Sequence, residues 1–526
     1  MKAMRKNRLK EVFCMSKQKK PLGTTYTRGE LTGFLVGLAG QNIIYNITAT
    51  GLTYYFQSVI FIPAMALSVI FAIARVWDAI NDPMMGSIVD KTRTKWGKCK
   101  PYLLFAPPII CITTILPFIN KIYSDGAPTS QKVLIIGWAA VSYILWGMTY
   151  TIGDIPLWGV TSLMTEDQND RAKALALARI CASFGAIGMM FTFIAEPLKG
   201  IFTAKGIDAT HALQYSCILT AVVMTVFATI LFEVAGLSVK ERVQQSSETH
   251  TMKENFQTMW RCRPFRQLLI SGVLRSPIQL LSIVAMTLVM YYFFNNDLVG
   301  TLMVDGKLDV GMILKVVVLG IGIMGGMLVA SGVSPAIGRK VGKKKLYNFY
   351  SLFGSIPFFL IFIVYKLSGG NLLSWPMTLV ISLIFFIASW AQGGLNVMQS
   401  VMIADCVDYE EYHNGIRPDG VFFSGQSFIT KLSAGIASLI SGIVYAIVGF
   451  SGTNVENLNN ALREGQSFVT AEGGKYAAAM FFLVSIPPAI GLILSALPTL
   501  KYAMTDEEHT RMLDELNAKR NAKEAE

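Results

Sequence analysis

The stretch Phe71-Ala-Ile-Ala-Arg75-Val-Trp-Asp78-Ala-Ile-Asn81-Asp82-Pro83-Met-Met-Gly86 decides the fold class, because it places three charged side chains inside an otherwise apolar segment. The apolar residues around it run from about residue 60 to 88, and ~20 such residues suffice for a helix to cross a hydrocarbon core. An ionisable side chain near the centre of a bilayer costs a few kcal/mol or more and is kept mainly where it functions. The stretch therefore predicts a membrane-spanning helix that carries a functional site.

Similar apolar stretches recur along all 526 residues, of which 52% are hydrophobic and 15% charged. A soluble protein carries roughly 25% charged residues, so this composition argues against a soluble enzyme. We predict an all-α polytopic membrane protein with twelve transmembrane helices in two six-helix bundles. The predicted spans are 30–57, 60–88, 101–120, 133–160, 173–195, 212–236, 266–294, 310–332, 348–367, 374–403, 421–449 and 476–502.

A polar stretch between spans six and seven separates the two predicted bundles. The predicted parts are an N-terminal tail (1–29), a first bundle (30–237), a linker (238–265), a second bundle (266–502) and a C-terminal tail (503–526). Lys and Arg cluster in the loops after spans two and eight, and basic loops mark the cytoplasmic side. We therefore expect a multi-pass protein of the cell membrane with both termini in the cytoplasm. The net charge of +12 reflects these loops and the tails, and needs no nucleic-acid partner.

Two features of the loops repeat between the halves. A basic loop follows the second helix of each half, and acidic residues close the fourth helix of each half, in Thr165–Arg171 and in Asp405–Glu411. Two such bundles with a site between them at mid-membrane are the architecture of the major facilitator transporters. Asp405 and Asp408 are therefore candidates for a structural or coupling role.

Span two carries the strongest candidate site. Spacings of three and four residues place Arg75, Asp78 and Asp82 on one helical face, with Asn81 beside them. Two nearby carboxylates provide oxygen ligands for Na⁺ or Li⁺, or raise the pKa of one of them until it holds a proton. The alternative is a structural ion pair between Arg75 and one of the acids. Because two acids face one base, a surplus negative charge remains, which favours a site for a coupling cation.

Span four carries a polar and aromatic patch, Tyr150-Thr-Ile-Gly-Asp-Ile-Pro-Leu-Trp158. Thr151 lies near Asp154, and Trp158 lies one turn after it. A carboxylate that accepts hydroxyl hydrogen bonds beside an indole ring is a common arrangement for holding a sugar. The alternative for Trp158 is an anchor at the membrane surface.

Isolated bases stand in two further spans, Arg179 in span five and Lys431 in span eleven. Each is expected to face an acid across the cavity, either within the substrate site or in a structural salt bridge. Polar side chains of spans ten and eleven either line the same cavity or join helices, as intramembrane amides commonly do. They are Gln392, Asn396, Gln399, Gln426 and Thr430.

Four segments together resemble the glycoside–pentoside–hexuronide:cation symporters. They are Arg75–Gly86, Thr92–Pro101, Tyr143–Trp158 and Val401–Tyr409, and the resemblance spans essentially all of the predicted helices. It implies alternating access with one cation moving per sugar. It also implies that Asp78 and Asp82 bind the cation with Thr151 as a further ligand, and that Asp154 holds the sugar. Trp158, Arg179 and Lys431 match residues of the family's binding cavity.

One departure from the family concerns span one. The melibiose permease of that family has a sugar-binding acid there, preceded by a Lys, whereas alignment from the Tyr54-Tyr55 pair places Gln41-Asn42 at these positions. One of two sugar-clamping carboxylates is therefore missing, so the α-galactoside specificity of that relative is not carried over. An amide suits a neutral substrate or an anionic one such as a hexuronide.

The sequence thus predicts a monomeric secondary transporter in the lipid bilayer, which moves a sugar or glycoside with Na⁺, Li⁺ or H⁺ and uses no other cofactor. An uncoupled carrier of another solute and a non-transporting sensor are the alternatives. An enzyme is not expected, because no HExxH or GxSxG motif is present. The seven cysteines are scattered singly, which argues against a zinc site.

Overall fold

The computed structural model describes residues 25–165, 170, 173–174, 177–178, 181–242, 252–304, 307–415 and 419–525. The regular secondary structure of these residues is helical, apart from a short ribbon that pairs Met303–Val304 with Lys307–Leu308 and a single bridge between Thr94 and Gly97. In the first half the helices are α1 (Arg28–Asn46), α2 (Ala64–Lys91), α3 (Lys100–Ile115), α4 (Thr129–Gly159), α5 (Ala186–Met189), α6 (Phe191–Thr203) and α7 (Ala209–Ser238).

The second half begins with α8, in the predicted linker, and ends with α21, in the predicted tail. Its helices are α8 (Met252–Arg261), α9 (Arg263–Leu274), α10 (Leu280–Leu288), α11 (Leu298–Leu302), α12 (Val310–Gly320), α13 (Gly326–Val341), α14 (Lys343–Leu352), α15 (Ser355–Leu367), α16 (Trp375–Asn414), α17 (Asp419–Val448), α18 (Thr453–Arg463), α19 (Lys475–Leu483), α20 (Ile486–Leu500) and α21 (Asp506–Ala525).

Ten helical segments within the described residues are long and apolar enough to cross a membrane. They coincide with ten of the predicted spans, and the all-α polytopic fold is confirmed. Predicted span one is not among the ten, although α1 continues through the wide turns Ile47–Leu52 and Tyr55–Val59. Predicted span five lies partly outside the described residues, and its described part includes α5 and α6.

Several predicted helix ends are wrong. Span eight was predicted to end at residue 332 and span ten at 403, whereas α13 continues to Val341 and α16 to Asn414. The helix of span five likewise continues to Thr203 instead of ending at 195. Hydropathy locates only the apolar part of a helix, and in each case the backbone ladder continues for two or three polar turns beyond it. For the same reason the helices α8 and α21 carry no hydropathy signal.

The two halves pack against each other along α2 and α17, the helices that carry the span-two acids and Lys431. Small residues allow this close approach: a Cβ atom at Gly442 would overlap the Ser68 side chain, and one at Gly435 would lie 3.2 Å from the Cβ of Arg75. Helix backbones approach closely where glycine faces the partner, which is typical of membrane interfaces. Residues Arg75 to Asp82 are thereby placed on the boundary between the halves.

A pair of capping contacts repeats between the halves. In the first half, Glu241 follows α7 and accepts hydrogen bonds from the backbone N–H groups of Lys98, Cys99 and Lys100 at 2.7–2.9 Å, at the start of α3. In the second half, Asp506 follows α20 and accepts from the N–H of Lys343 at 3.0 Å, at the start of α14. An acidic side chain satisfies the free N–H groups and favours the positive end of the helix dipole.

Glycines precede both caps. Gly97 (φ +114°) and Gly342 (φ +100°) adopt the left-handed region, which glycine enters without the steric penalty of a Cβ atom. A Cβ atom at Gly97 would also clash with the Glu241 carboxylate. These contacts extend the internal repeat that the basic loops predicted, since the two acids follow the last apolar helix of their respective halves, α7 and α20. We call this end of the molecule, which carries the loops after spans two and eight, the basic end.

At the opposite end, a hydrogen-bonded cluster joins the halves. Tyr54 donates to Asn296 Oδ1 at 2.7 Å, and Asn459 of α18 donates to the carbonyl oxygen of Ser58 at 3.0 Å. Asn296 in turn donates to Asn459 Oδ1 at 3.0 Å, and all of these side chains are buried. Nearby, Asp125 accepts a hydrogen bond from the backbone N–H of Thr453 at 3.2 Å. The halves are therefore in polar contact at the end away from the basic loops.

Candidate functional site

A cavity of about 200 Å³ lies between the halves, with residues of α1, α2, α4 and α17 in its wall. Polar side chains and aromatic rings share this wall, as in small-molecule sites where a few polar groups fix orientation. Its lining residues are Gln41, Asn42, Tyr45, Arg75, Asp78, Trp146, Gly147, Tyr150, Thr151, Asp154, Trp158 and Lys431.

Both candidate cation-binding acids are paired with a base. Arg75 Nη1 lies 3.2 Å from Asp78 Oδ2, one turn away on α2. Lys431, which comes from the second half, forms an ion pair with Asp82 Oδ2. Thr151 donates a hydrogen bond to the other oxygen of Asp82, Oδ1, at 3.2 Å. Arg75, Asp78 and Asp82 therefore share one face of α2, as their spacing predicts. Asp78 is paired with a base of the first half, and Asp82 with a base of the second half.

The charges around the cavity do not cancel within the described residues. Asp78, Asp82 and Asp154 face two bases, Arg75 and Lys431. Asp154 forms no ion pair with a base among the described residues, and it accepts a hydrogen bond from the amide of Gln41. An uncompensated charge in a membrane interior is costly, and Arg179, the further base predicted near this cavity, lies outside the described residues.

Gln41 of α1 contacts Asp154, the residue predicted to hold the sugar. Its Nε2 group donates to Asp154 Oδ1 at 2.6 Å and also contacts the hydroxyl of Tyr150. Asn42 donates to Gln41 Oε1 at 2.8 Å and so orients the amide. Gln41 therefore bridges span one to span four, while the neighbouring Asn42 stands where the melibiose permease has its acid. Trp158 lines the cavity beside Asp154.

The aromatic wall of the cavity extends beyond Tyr150 and Trp158, the two rings that the sequence analysis singled out. The rings of Trp146 and Tyr150 stack at a centroid distance of 5.1 Å, and Tyr45 packs 5.7 Å from Tyr150. Tyr143 stacks on Trp146 at 5.7 Å and contacts Arg75 through its hydroxyl at 3.4 Å. The spacings 143, 146, 150, 154 and 158 define one face of α4, so helical periodicity could have found these residues.

Most of the remaining predicted residues are placed away from the cavity. Asn81 is buried, and its Nδ2 atom has no hydrogen-bond partner; Asn81 does not line the cavity. Arg179 lies outside the described residues. Asp405 and Asp408 lie near the end of α16: Asp405 pairs with Lys343 at 2.6 Å, and His509 Nε2 of α21 lies 3.2 Å from Asp408. These two acids thus join α16 to the basic loop and to α21.

Two helical halves, packed along α2 and α17 around a shared polar cavity, define a secondary transporter of the major facilitator fold. Among solved structures, the chain is similar to a bacterial homologue of the human lysosomal transporter Spinster, with a TM-score of 0.59 and 12% identity over 93% of this chain and 100% of that one. It is also similar to the nucleoside transporter NupG, with a TM-score of 0.53 and 13% identity over 86% of this chain and 98% of that one.

Residues 33–506 match the family model described as MFS/sugar transport protein, and the chain belongs to that family. Its relatives include the isoprimeverose transporter of Lactiplantibacillus pentosus, 24% identical over 91% of this chain and 89% of the relative. The glucuronide carrier protein homolog of Escherichia coli (strain K12) is 25% identical over 81% of this chain and 85% of the relative. The resemblance stated from the sequence motifs is thereby confirmed at the level of the family.

Proposed function

We propose that this protein moves a sugar or glycoside together with a monovalent cation, by alternating access of the central cavity. The observation that carries the proposal is the cavity itself, in which Asp78 and the Asp154–Gln41 pair share one wall. A cation site and a sugar site that share a cavity can each alter the charge and shape that the other ligand meets. The names of the relatives, which refer to an isoprimeverose transporter and a glucuronide carrier, support the sugar class of substrate.

The cation is proposed to bind between Asp78 and Asp82, with Thr151 as a further oxygen ligand. Lys431 is paired with Asp82, so a cation that enters must compete with a tethered ammonium group. Displacement of Lys431 breaks a link between the halves and frees a base on the second half. Binding of a cation thereby changes the contact between the halves, which is what coupling requires.

The sugar is proposed to bind against α4 and α1. Asp154 accepts hydrogen bonds from sugar hydroxyls, Gln41 offers both a donor and an acceptor, and Trp158 packs on the apolar face of the ring. The stacked rings of Trp146 and Tyr150 enlarge this aromatic surface. Polar groups thus fix the orientation of a sugar, while rings supply contact area.

Uptake into proteoliposomes tests the proposal. The purified protein is reconstituted, and uptake of radiolabelled glycosides, pentoses and hexuronates is measured with an inward gradient of Na⁺, Li⁺ or H⁺ and with none. We expect at least one sugar to accumulate above its equilibrium level with one of the cations. We further expect Asp78→Cys to abolish accumulation while counterflow of that sugar remains. Identical uptake with and without every cation would contradict the coupling.

An uncoupled carrier is the second candidate function, and one observation favours it. Both acids of span two are already paired with bases, Asp78 with Arg75 and Asp82 with Lys431, so the protein neutralises them without an external cation. An uncoupled carrier would show counterflow of the sugar in wild type but no accumulation under any cation gradient, and Asp78→Cys would leave counterflow unchanged.

A further inference from the structure

Arg275 is the one Lys or Arg that is buried among the described residues, with 6% of its surface exposed. It follows the last residue of α9, where the chain tightens into the turn Ser276–Gln279 at Pro277. Neither the cavity described above nor the proposed cation site includes it. A buried guanidinium keeps its charge at any physiological pH, so the protein must compensate it in another way.

The partners of Arg275 leave its charge uncompensated. One nitrogen, Nη2, donates to Gln399 Oε1 of α16, and the other, Nη1, is buried without a hydrogen-bond partner. The Nε2 group of Gln399 is also buried without a partner. Two unsatisfied donors therefore belong to a single hydrogen-bonded pair, and within the described residues no carboxylate forms an ion pair with Arg275.

Three half-buried bases of the helices differ in this respect. Arg75, Lys431 and Lys199 each form an ion pair with a carboxylate, those of Asp78, Asp82 and Glu196 respectively. A buried cation without its anion is strongly destabilising, and an unmatched donor adds to that cost. A set of groups that can only donate, and that carries a positive charge, is complementary to an oxyanion.

The depth of Arg275 matches that of the central site. Arg275 lies nine residues from the basic end of its predicted span, and Lys431 and Asp78 each lie ten residues from the same end of theirs. Ser276, in the turn after α9, donates a hydrogen bond to Ser433 of α17 at 3.1 Å. This contact lies two residues from Lys431 on α17. The Arg275–Gln399 pair is thus one helix away from the proposed substrate cavity and level with it.

We propose that Arg275 and Gln399 form an anion subsite, and that the transported sugar carries an oxyanion such as a carboxylate or a sulfonate. This inference rests on the proposed function and names its substrate class. Arg275 Nη1 and Gln399 Nε2 are the donors that receive the anion. Because both are covered in the conformation described, they meet the substrate at a stage of the cycle in which α9 and α16 have moved relative to α17.

Charge balance supports an anionic substrate. With Arg275 included, the described residues around the site hold three carboxylates, of Asp78, Asp82 and Asp154, and three bases, Arg75, Arg275 and Lys431. Binding of a monovalent cation then leaves one excess positive charge, and an anionic substrate removes it. A loaded site without net charge is the least costly one to enclose within a membrane protein.

Binding of matched sugar pairs tests the subsite. Equilibrium binding to the purified protein is measured by calorimetry at saturating Na⁺, Li⁺ or low pH, with methyl glucuronides against methyl glucosides and methyl galacturonides against methyl galactosides. The members of each pair differ only at C6, as a carboxylate or a hydroxymethyl group. We expect the carboxylate member of one pair to bind about tenfold more tightly or better, and Arg275→Gln to remove that preference.

Three further variants complete the test, together with a series in which the thermal stability of the purified protein is measured in chloride or sulfate without sugar. Arg275→Lys should restore part of the preference, since it keeps the charge, and Gln399→Leu should reduce it. Lys366→Gln, which removes an exposed base on α15, should leave it unchanged. The binding of the neutral member should be the same in Arg275→Gln as in wild type, which shows that the variant is folded.

Several results would overturn the inference. Equal affinity for both members of every pair in wild type, with binding still cation-dependent, would reject the anion subsite and leave the proposed function standing. An equal loss for both members in Arg275→Gln would assign Arg275 to helix packing. Stabilisation by chloride or sulfate alone, lost in Arg275→Gln, would assign the subsite to a free inorganic anion. No cation-dependent sugar binding at all would reject both proposals.

Discussion

Lys431 of the second half forms an ion pair with Asp82 of the first half, one of the two acids of the proposed cation site. A tethered ammonium acts as an intramolecular competitor. The apparent affinity for the cation is reduced by the fraction of molecules in which Lys431 is paired with Asp82, as for any site that is only partly available.

Removing this competitor should strengthen cation binding. We expect Lys431→Met to raise the affinity for the coupling cation by about tenfold, equivalent to ~1.4 kcal/mol, while accumulation of sugar falls. Cation-dependent thermal stabilisation of the purified protein gives the affinity. Lys315→Met is the matched control, since Lys315 contacts the ring of Trp375 and lies outside the cavity. Weaker cation binding in Lys431→Met would show that Lys431 supports the site instead of competing for it.

Gln41 should set the affinity for sugar. Its amide orients Asp154 through a hydrogen bond of 2.6 Å, and a hydrogen bond to a charged group contributes about 1.5–3 kcal/mol. We expect Gln41→Ala to weaken sugar binding by at least about tenfold and to leave the affinity for the cation within about threefold of wild type.

Asn46→Ala is the control for Gln41, because Asn46 lies on the same helix and donates to the carbonyl oxygen of Asn42 without lining the cavity. Sugar affinity in both variants is measured by equilibrium binding. Comparable losses in the two variants would assign the effect to α1 as a whole.

For single residues, the sequence predicts which side chains share a face of one helix better than it predicts contacts between side chains on different helices. The face of Arg75, Asp78 and Asp82 follows from spacing, and so does the link between Asp154 and Trp158. The pairing of Lys431 with Asp82, 349 residues apart, depends on how two helices pack, and several acids were equally available to it. Arg275 is also an isolated base within a predicted span, so the signal that marks Lys431 could have found it, whereas its pairing with Gln399 depends on how the helices pack.

The acidic caps show how one element stabilises another far along the chain. Glu241 and Asp506 satisfy helix N-termini that lie in basic loops, where Lys and Arg would otherwise repel the helix dipole. Gly97 and Gly342 let the backbone turn immediately before the capped groups.

Gly97→Ala should destabilise the protein by two mechanisms, the left-handed backbone and the clash with Glu241. We expect a loss of more than about 1 kcal/mol, seen as a lower midpoint of thermal unfolding in detergent. Gly206→Ala is the matched control, because Gly206 has φ +82° and nothing within 4 Å of its Cβ position. Equal losses in the two variants would show that backbone strain alone matters and that the cap does not constrain position 97.

Elements were predicted well where hydropathy decides them. The centres of the ten apolar helices follow from the sequence, whereas their polar extensions do not. Asp405 and Asp408 illustrate the difference, since both lie on α16 beyond the predicted end of span ten. Their contacts with Lys343 and His509 stabilise the last turns of α16, which lie beyond the long apolar run of the sequence.

For the whole molecule, the polar cluster at the end away from the basic loops holds the halves together on one side of the cavity. Asn459, Asn296 and Tyr54 form its buried part, and Asp125 with Thr453 forms its outer part. Alternating access requires this cluster to open, so its strength sets the balance between two conformations.

Acid should weaken the outer part. Burial pushes the pKa of Asp125 upward, but hydrogen bonds from the Thr453 side chain and backbone outweigh it and hold that pKa below its usual value. A carboxyl with a lowered pKa stabilises its contact above the ordinary value of ~3.9, and this is lost as pH falls through the lowered value.

We therefore expect that lowering the pH through the lowered pKa of Asp125 increases the distance between two spin labels, one on the loop that carries Asp125 and one at the start of α18, beside Thr453. The variant Asp125→Asn should lack this component of the pH dependence. An unchanged pH profile in Asp125→Asn would assign the transition to other groups.

Coupling is also a property of the whole molecule. If the cation raises the affinity for sugar by some factor, sugar must raise the affinity for the cation by the same factor. We expect the two factors, measured by calorimetry in both orders, to agree, and Lys431→Met to reduce both together. Two different factors would mean that a further ligand or proton takes part.

The repeat between the halves was only partly visible in the sequence. Basic loops and acidic helix ends predicted it, and the family confirms the fold. The contacts that join the halves, such as those of Asn459, could not be predicted. The sequence between spans eleven and twelve is polar and marks no partner for this asparagine, and only the tertiary arrangement selects one.

The acidic caps have a consequence for biosynthesis. The start of α3 receives its cap from Glu241, which follows α7, and the start of α14 receives its cap from Asp506, which follows α20. The N–H groups at these two helix starts are therefore hydrogen-bonded only after α7 and α20 have been made. The first half supplies the cap of its own α3. On a ribosome, we expect it to consolidate in the bilayer while the second half is still being translated, and a nascent chain truncated before Glu241 to be the more readily degraded.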